Sequence, residues 1–134
     1  MFHQIEETLE DADPHPTHLD LKADHIFFDS GAVCFIDMES CALADPVLDP
    51  AMLAARLDVM PDILPVCRDR TQRFADVFLD EYFSGVPKNW QACFPAAYKC
   101  AALKVALYFL QHQVDGWQDR VASTLVKAMR RAPE

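Results

Sequence analysis

His18-Leu19-Asp20-Leu21-Lys22-Ala23-Asp24-His25-Ile26-Phe27-Phe28-Asp29, continued by Cys34-Phe35-Ile36-Asp37-Met38-Glu39, is the stretch whose reading decides the fold. Ile26 to Phe28 and Val33 to Ile36 are short β-prone apolar runs. Asp29-Ser30-Gly31-Ala32 between them carries turn residues, so the segment reads as a β-hairpin. A hairpin brings its outer ends together. His25 precedes the first strand and Asp37 follows the second, so imidazole and carboxylate converge at the open end, a donor pair suited to a divalent cation. Asp20, on the loop that feeds the hairpin, faces that ion from the side. A carboxylate so placed accepts a proton from an attacking hydroxyl while a metal holds a phosphate chain, the division of labour that phosphoryl transfer requires.

The order of these residues carries a resemblance. His18-Leu19-Asp20, then Asp24-His25-Ile26-Phe27-Phe28-Asp29, then Phe35-Ile36-Asp37, then Asp45-Pro46-Val47-Leu48-Asp49 resembles the catalytic core of the aminoglycoside phosphotransferase and choline-kinase-like family. Histidine at position 25, where asparagine is commoner, is similar to the branch of aminoglycoside 2''-phosphotransferases. Leu19 stands where glycine or asparagine is usual, and Met38-Glu39-Ser40 where an aromatic or Phe-Gly-Asp often follows the aspartate. The resemblance implies an α+β, mostly helical fold, the C-terminal lobe of a protein-kinase-like architecture: a catalytic loop, a short hairpin and about four helices after it. It implies Asp20 as catalytic base, His25 and Asp37 as Mg2+ ligands, and His18 as the residue that braces the loop. ATP would be the donor and a small-molecule hydroxyl the acceptor.

Composition bounds the alternatives. The 134 residues suit one domain, and 51% of them are hydrophobic, an ordinary globular content. No apolar run reaches the roughly 18 residues of a membrane span, and the N-terminus lacks the basic-then-apolar order of a signal peptide, so a cytoplasmic location is expected. Cys34, Cys41, Cys67, Cys93 and Cys100 form no C-x-x-C pair, which points away from a disulfide framework or zinc knuckle and towards small buried hydrophobes. Net charge is −9 and unevenly spread: residues 1–50 hold twelve acids against the single base Lys22, whereas residues 51–134 hold nine acids and eleven bases. Such a field disfavours nucleic acid and favours metal cations or a cationic substrate. Glu6, Glu7, Glu10, Asp11 and Asp13 read more simply as a solvated helix face and its end.

Outward from the hairpin the chain reads as helices. Residues 2–10 have helical character, stopped at Asp13-Pro14-His15-Pro16, where His15 reads as a surface loop residue. Leu43 to Pro50 suggests a turn into a helix capped by Asp45 or Asp49 rather than a metal site. A short apolar helix over 51–59 should break at Pro61 and Pro65. Residues 66–83 follow, with Val66, Phe74, Val77, Phe78 and Tyr82 at helical spacing. In 90–113, Phe94, Tyr98, Leu103, Leu107 and Leu110 should fill the core, with Pro95 tolerated near the start and His112 an ordinary helix-end residue. A last helix, 117–131, carries Trp117, Val121, Leu125 and Met129 on one stripe.

Family members of this kind carry a nucleotide-covering loop, a strand lysine and a helix glutamate upstream of the catalytic loop. Only seventeen residues precede His18, and the three glycines, Gly31, Gly85 and Gly116, form no Gly-rich loop. The expectation is therefore a single partial domain, 1–134, holding the base and metal ligands without the ATP-gripping lobe, and inactive alone. Three readings follow: the catalytic subdomain of an ATP-dependent small-molecule O-phosphotransferase, a non-catalytic remnant or binding module of the same fold, and a metallohydrolase built on His18, Asp20, His25 and Asp37. The acceptor stays open between aminoglycoside, choline-like, sugar and amino-alcohol hydroxyls. Apolar surface left without its partner lobe would favour self-association.

Overall fold

The computed structural model describes residues 13–130; the helix expected over residues 2–10 lies outside them. Among the described residues four short strands come first and four α-helices follow, an α+β, mostly helical arrangement. Strand β1 (His15–Thr17) pairs antiparallel with β4 (Ala42–Ala44), and β2 (Ile26–Asp29) pairs antiparallel with β3 (Ala32–Phe35). The predicted hairpin is thus present, with Ser30 at φ 47° and Gly31 at φ 87° as its two central residues. Two consecutive left-handed residues make the two-residue loop whose twist matches that of the strands. The ladder β1–β4 was not foreseen, and it places His15 in an exposed strand rather than a loop. Three-residue strands, one containing Pro16, leave no readable alternation. The ladder closes the base of a loop running from His18 to Cys41, so every predicted site residue sits on one excursion tied at its root.

Helices α1 (Leu48–Ile63), α2 (Arg68–Ser84), α3 (Lys88–His112) and α4 (Trp117–Arg130) form the packed body. The expected break at Pro61 does not occur. Proline removes one hydrogen bond near the last turn, and the helix closes with Leu64 N–H donating to the Met60 carbonyl at 2.9 Å. At the other end Pro50 lies in the first turn, where amide hydrogens have no helical partner, so α1 starts before residue 51. Pro95 lies just past the second turn of α3, because the helix starts at Lys88, slightly before the expected Trp90.

The core is made by small residues. Ala51, Ala54 and Ala55 of α1 meet a face of α3 that includes Ala97, Ala101, Ala102 and Val105, with Ala128 of α4 alongside. Such faces allow helices to approach closely. The leucines predicted to fill this space point elsewhere: Leu103, Leu107 and Leu110 are about half exposed, whereas Tyr98 and Phe109 are buried. The same displacement recurs in α2, where Ala75 and Leu79 are buried and Phe74 and Val77 exposed, while Val66 lies before the helix and is exposed too. In α4 Thr124 and Ala128 are buried and Met129 is exposed. Part of each predicted stripe does reach the core, with Phe94, Phe78, Trp117 and Val121 packed half-buried against it, while smaller residues beside the exposed members make the buried contacts. Cysteine behaves in the same way: Cys93 is buried, but Cys34, Cys41 and Cys67 are exposed, against expectation.

By length and composition alone α3 could cross a membrane. Its alanine face is instead covered by α1 and α4, the use a core helix makes of such a sequence. A second, smaller core of Leu21, Leu53, Leu57 and Ala75 fixes the loop of interest to α1 and α2. Leu21 lies one residue after Asp20 and anchors it to the helical body.

Candidate functional site

The loop is held residue by residue. Asp49, in the first turn of α1, accepts the His18 N–H at 2.7 Å and the Leu19 N–H at 2.8 Å on its two carboxylate oxygens. It does not cap its helix; it crosses to the loop. Asp45 does act locally, taking the Val47 N–H at 2.9 Å at the start of α1. Leu19 adopts φ 65°, the left-handed conformation in which glycine or asparagine is normally found. Its carbonyl accepts a hydrogen bond from Lys104 Nζ at 2.9 Å, so both backbone groups of this strained residue are bonded to charged side chains.

The hairpin brings its ends together as predicted. His25 closes a short 3₁₀ turn (Ala23–His25), and the Ile36 N–H donates to the His25 carbonyl at 3.1 Å, which sets Asp37 beside the histidine. Asp37 takes φ 60°, turning its side chain out of the strand direction, and its Oδ2 lies 3.1 Å from His25 Nε2. His18 is buried, its Nε2 2.8 Å from the Ile36 carbonyl and its ring stacked on that of His25 at 5.4 Å. It bridges the loop and the residue just after the second strand of the hairpin. The ligand atoms of Asp20, His25 and Asp37 all lie within 4.8 Å of one another, His25 buried, Asp20 half-buried and Asp37 exposed.

Asp20 is also ringed by cations that sequence reasoning missed. Arg56 Nη2 donates to its Oδ1 at 2.8 Å, Lys104 Nζ lies 3.6 Å from the same oxygen, and Lys22 Nζ 3.8 Å from Oδ2. Burial pushes the Asp20 carboxyl up, but Arg56, Lys104 and Lys22 together outweigh it and hold the group below the usual carboxylate value. The spacing of Asp49 and Arg56, seven residues apart on one helix, was the available signal, because i and i+7 lie on one face.

The donor set suits a divalent ion. An octahedral ion with ligands at about 2.1 Å needs neighbouring donors about 3 Å apart. The His25–Asp37 separation meets that requirement for one edge. Beside the site runs an apolar cleft of about 550 Å³, walled by the hairpin face Ile26, Phe28, Val33 and Phe35 and by Phe74 and Phe78 of α2, with His18 and Asp49 also lining it. Tyr82 reaches its rim, donating to the Pro46 carbonyl at 2.9 Å. Burial, then Asp49 and Asp45, push its hydroxyl up to about 12.

No curated protein and no solved structure is matched by the chain. A family model described as the phosphotransferase enzyme family does match, over residues 3–93, a span that takes in the loop, the hairpin, α1 and α2. On that match, covering about two thirds of its length, the chain belongs to the phosphotransferase enzyme family.

Proposed function

We propose that this chain carries the base and metal-binding half of an ATP-dependent small-molecule O-phosphotransferase, with the architecture of a kinase C-terminal lobe. The observation that carries the reading is the convergence of Asp20, His25 and Asp37 within 4.8 Å on a braced loop, in a chain of this family. His25 and Asp37 would hold Mg2+; when bound, the ion neutralises phosphate charge and orients the phosphates. Asp20, kept ionised by its cationic neighbours, accepts the proton of the acceptor hydroxyl as the oxygen attacks phosphorus. His18 and Asp49 contribute order rather than chemistry, since their bonds go to backbone groups of the loop and hairpin. The acidic half of the chain favours a hydroxyl carried by a cationic acceptor, an aminoglycoside or amino-alcohol, over nucleic acid. A cytoplasmic location follows from the same reading, because ATP and Mg2+ are supplied there.

The test, run on the full natural product of the gene, is phosphoryl transfer from ATP to a panel of aminoglycoside, amino-alcohol and sugar hydroxyls with Mg2+ present. Asp20→Ala should lose about 10²- to 10⁴-fold in kcat. Undiminished turnover in that variant refutes the assignment. A second reading, a binding module of the same fold without turnover, is favoured by one observation: Leu19, next to Asp20, is a side-chain-bearing residue held at φ 65°, where glycine or asparagine is the usual occupant. Binding of Mg2+ with nucleotide but no transfer to any acceptor would select it.

A further inference from the structure

Asp49 and Arg56 stand seven residues apart on α1, so they face the same way about 10 Å apart along the helix. Asp49 holds the backbone of His18 and Leu19, and Arg56 holds the side chain of the next residue, Asp20. One helix face therefore grips three consecutive loop residues. The two oxygens of Asp20 are not equivalent in this grip. Oδ1 accepts from Arg56 at 2.8 Å and has Lys104 at 3.6 Å, while the nearest cation to Oδ2 is Lys22 at 3.8 Å, beyond hydrogen-bond range. Arg56 Nε is buried and meets no acceptor among the described residues, so the guanidinium forgoes a bond to keep its Nη2 on Asp20.

We propose that Arg56 is a positioning residue: by occupying Oδ1 it locks the Asp20 carboxylate so that Oδ2 is the oxygen presented to the acceptor hydroxyl. Lys104 secures the left-handed Leu19 turn from which Asp20 projects. The inference rests on the reading of Asp20 as the base. A carboxylate without this contact turns freely about its last torsion, which has broad, roughly two-fold preferences, and offers either oxygen. A helix-borne guanidinium removes that freedom, the kind of preorganisation whose loss costs about 10²-fold in rate.

The test uses the full chain with 13C-labelled aspartate and follows the Asp20 carboxyl resonance by NMR in wild type, Arg56→Met, Arg56→Lys and Lys104→Met. In Arg56→Met the signal should shift and broaden, and in Arg56→Lys it should return to one sharp line near the wild-type position. Mn2+ affinity at His25 and Asp37 should stay within about twofold, because neither ligand is touched. Where turnover is present, kcat should fall about 10²-fold in Arg56→Met at unchanged KM. A folded Arg56→Met chain whose Asp20 resonance matches wild type overturns the proposal and leaves Arg56 a purely structural residue. Should that variant not fold, the wild type decides. An Arg56 guanidinium whose Nη protons exchange as fast as those of Arg73, an exposed arginine, overturns it; protected Nη protons support it. A wild type that binds no Mn2+ fails the functional reading but leaves this Asp20 measurement intact, so the two failures are separable.

Discussion

Replacing Asp49 by alanine isolates what holds the loop in place. The substitution removes two carboxylate-to-backbone hydrogen bonds, at 2.7 and 2.8 Å, and leaves the His18 and Leu19 N–H groups without those acceptors. Bonds to a charged group contribute about 1.5–3 kcal/mol each, and two sharing one carboxylate add less than fully. The left-handed turn at Leu19, which costs roughly 1–2 kcal/mol, also loses part of what offsets it. The expected destabilisation is about 3–5 kcal/mol, a large fraction of the 5–15 kcal/mol typical of a domain. Urea unfolding followed by circular dichroism measures it, the midpoint falling at constant slope. Asp49→Asn keeps one acceptor without charge and should lose about half as much. A loss below about 0.5 kcal/mol in Asp49→Ala, the range of an ordinary surface change, would refute the reasoning.

Other outcomes follow from the same geometry. Asp20 and Asp62 are both held below the usual carboxylate value: burial raises each, but Arg56 with Lys104 and Lys22 lowers the first, and Lys127 with Arg68 the second. Their stabilisation is complete above the unfolded carboxylate value of about 3.9 and is lost as pH falls through their lower folded values. Urea midpoints should therefore drop from about pH 4 downward, and less steeply in Lys127→Met. Tyr82, raised to about 12, works in the opposite direction, its contribution present below pH 10 and lost as pH rises towards 12. Absorbance titration of phenolate should lose a late-ionising component in Tyr82→Phe. In the core, Ala101→Leu should cost about 1–3 kcal/mol by overpacking the face against α1, while Leu107→Ala, at a half-exposed position, should stay within about 0.5 kcal/mol. The reverse ranking in thermal melts would contradict the packing described.

The sequence was most legible where a turn fixed geometry. Asp29-Ser30-Gly31-Ala32 admits few backbone paths, so the hairpin, and with it the meeting of His25 and Asp37, could be read from residue order alone. Helix existence was equally plain; helix faces were not. Leu103, Leu107 and Leu110 outweigh Ala97, Ala101 and Ala102 in any hydrophobic tally, yet close helix packing selects the alanines. Asp49 could be recognised as a structural carboxylate, but its partners lie about thirty residues away in the chain and no local pattern encodes them. Arg56 and Lys104 were missed for the same reason: each lies on a helix that sequence reasoning assigned to the core, and only the fold brings both to Asp20.

The most direct test of the site is metal binding. Titration of the chain with Mn2+, followed by electron paramagnetic resonance and competed with Mg2+, should give one site per chain. Its affinity should fall at least about tenfold in both His25→Ala and Asp37→Ala while each variant stays folded. A folded wild type that binds no Mn2+, or binding untouched by either substitution, would contradict the assignment of His25 and Asp37 as ligands.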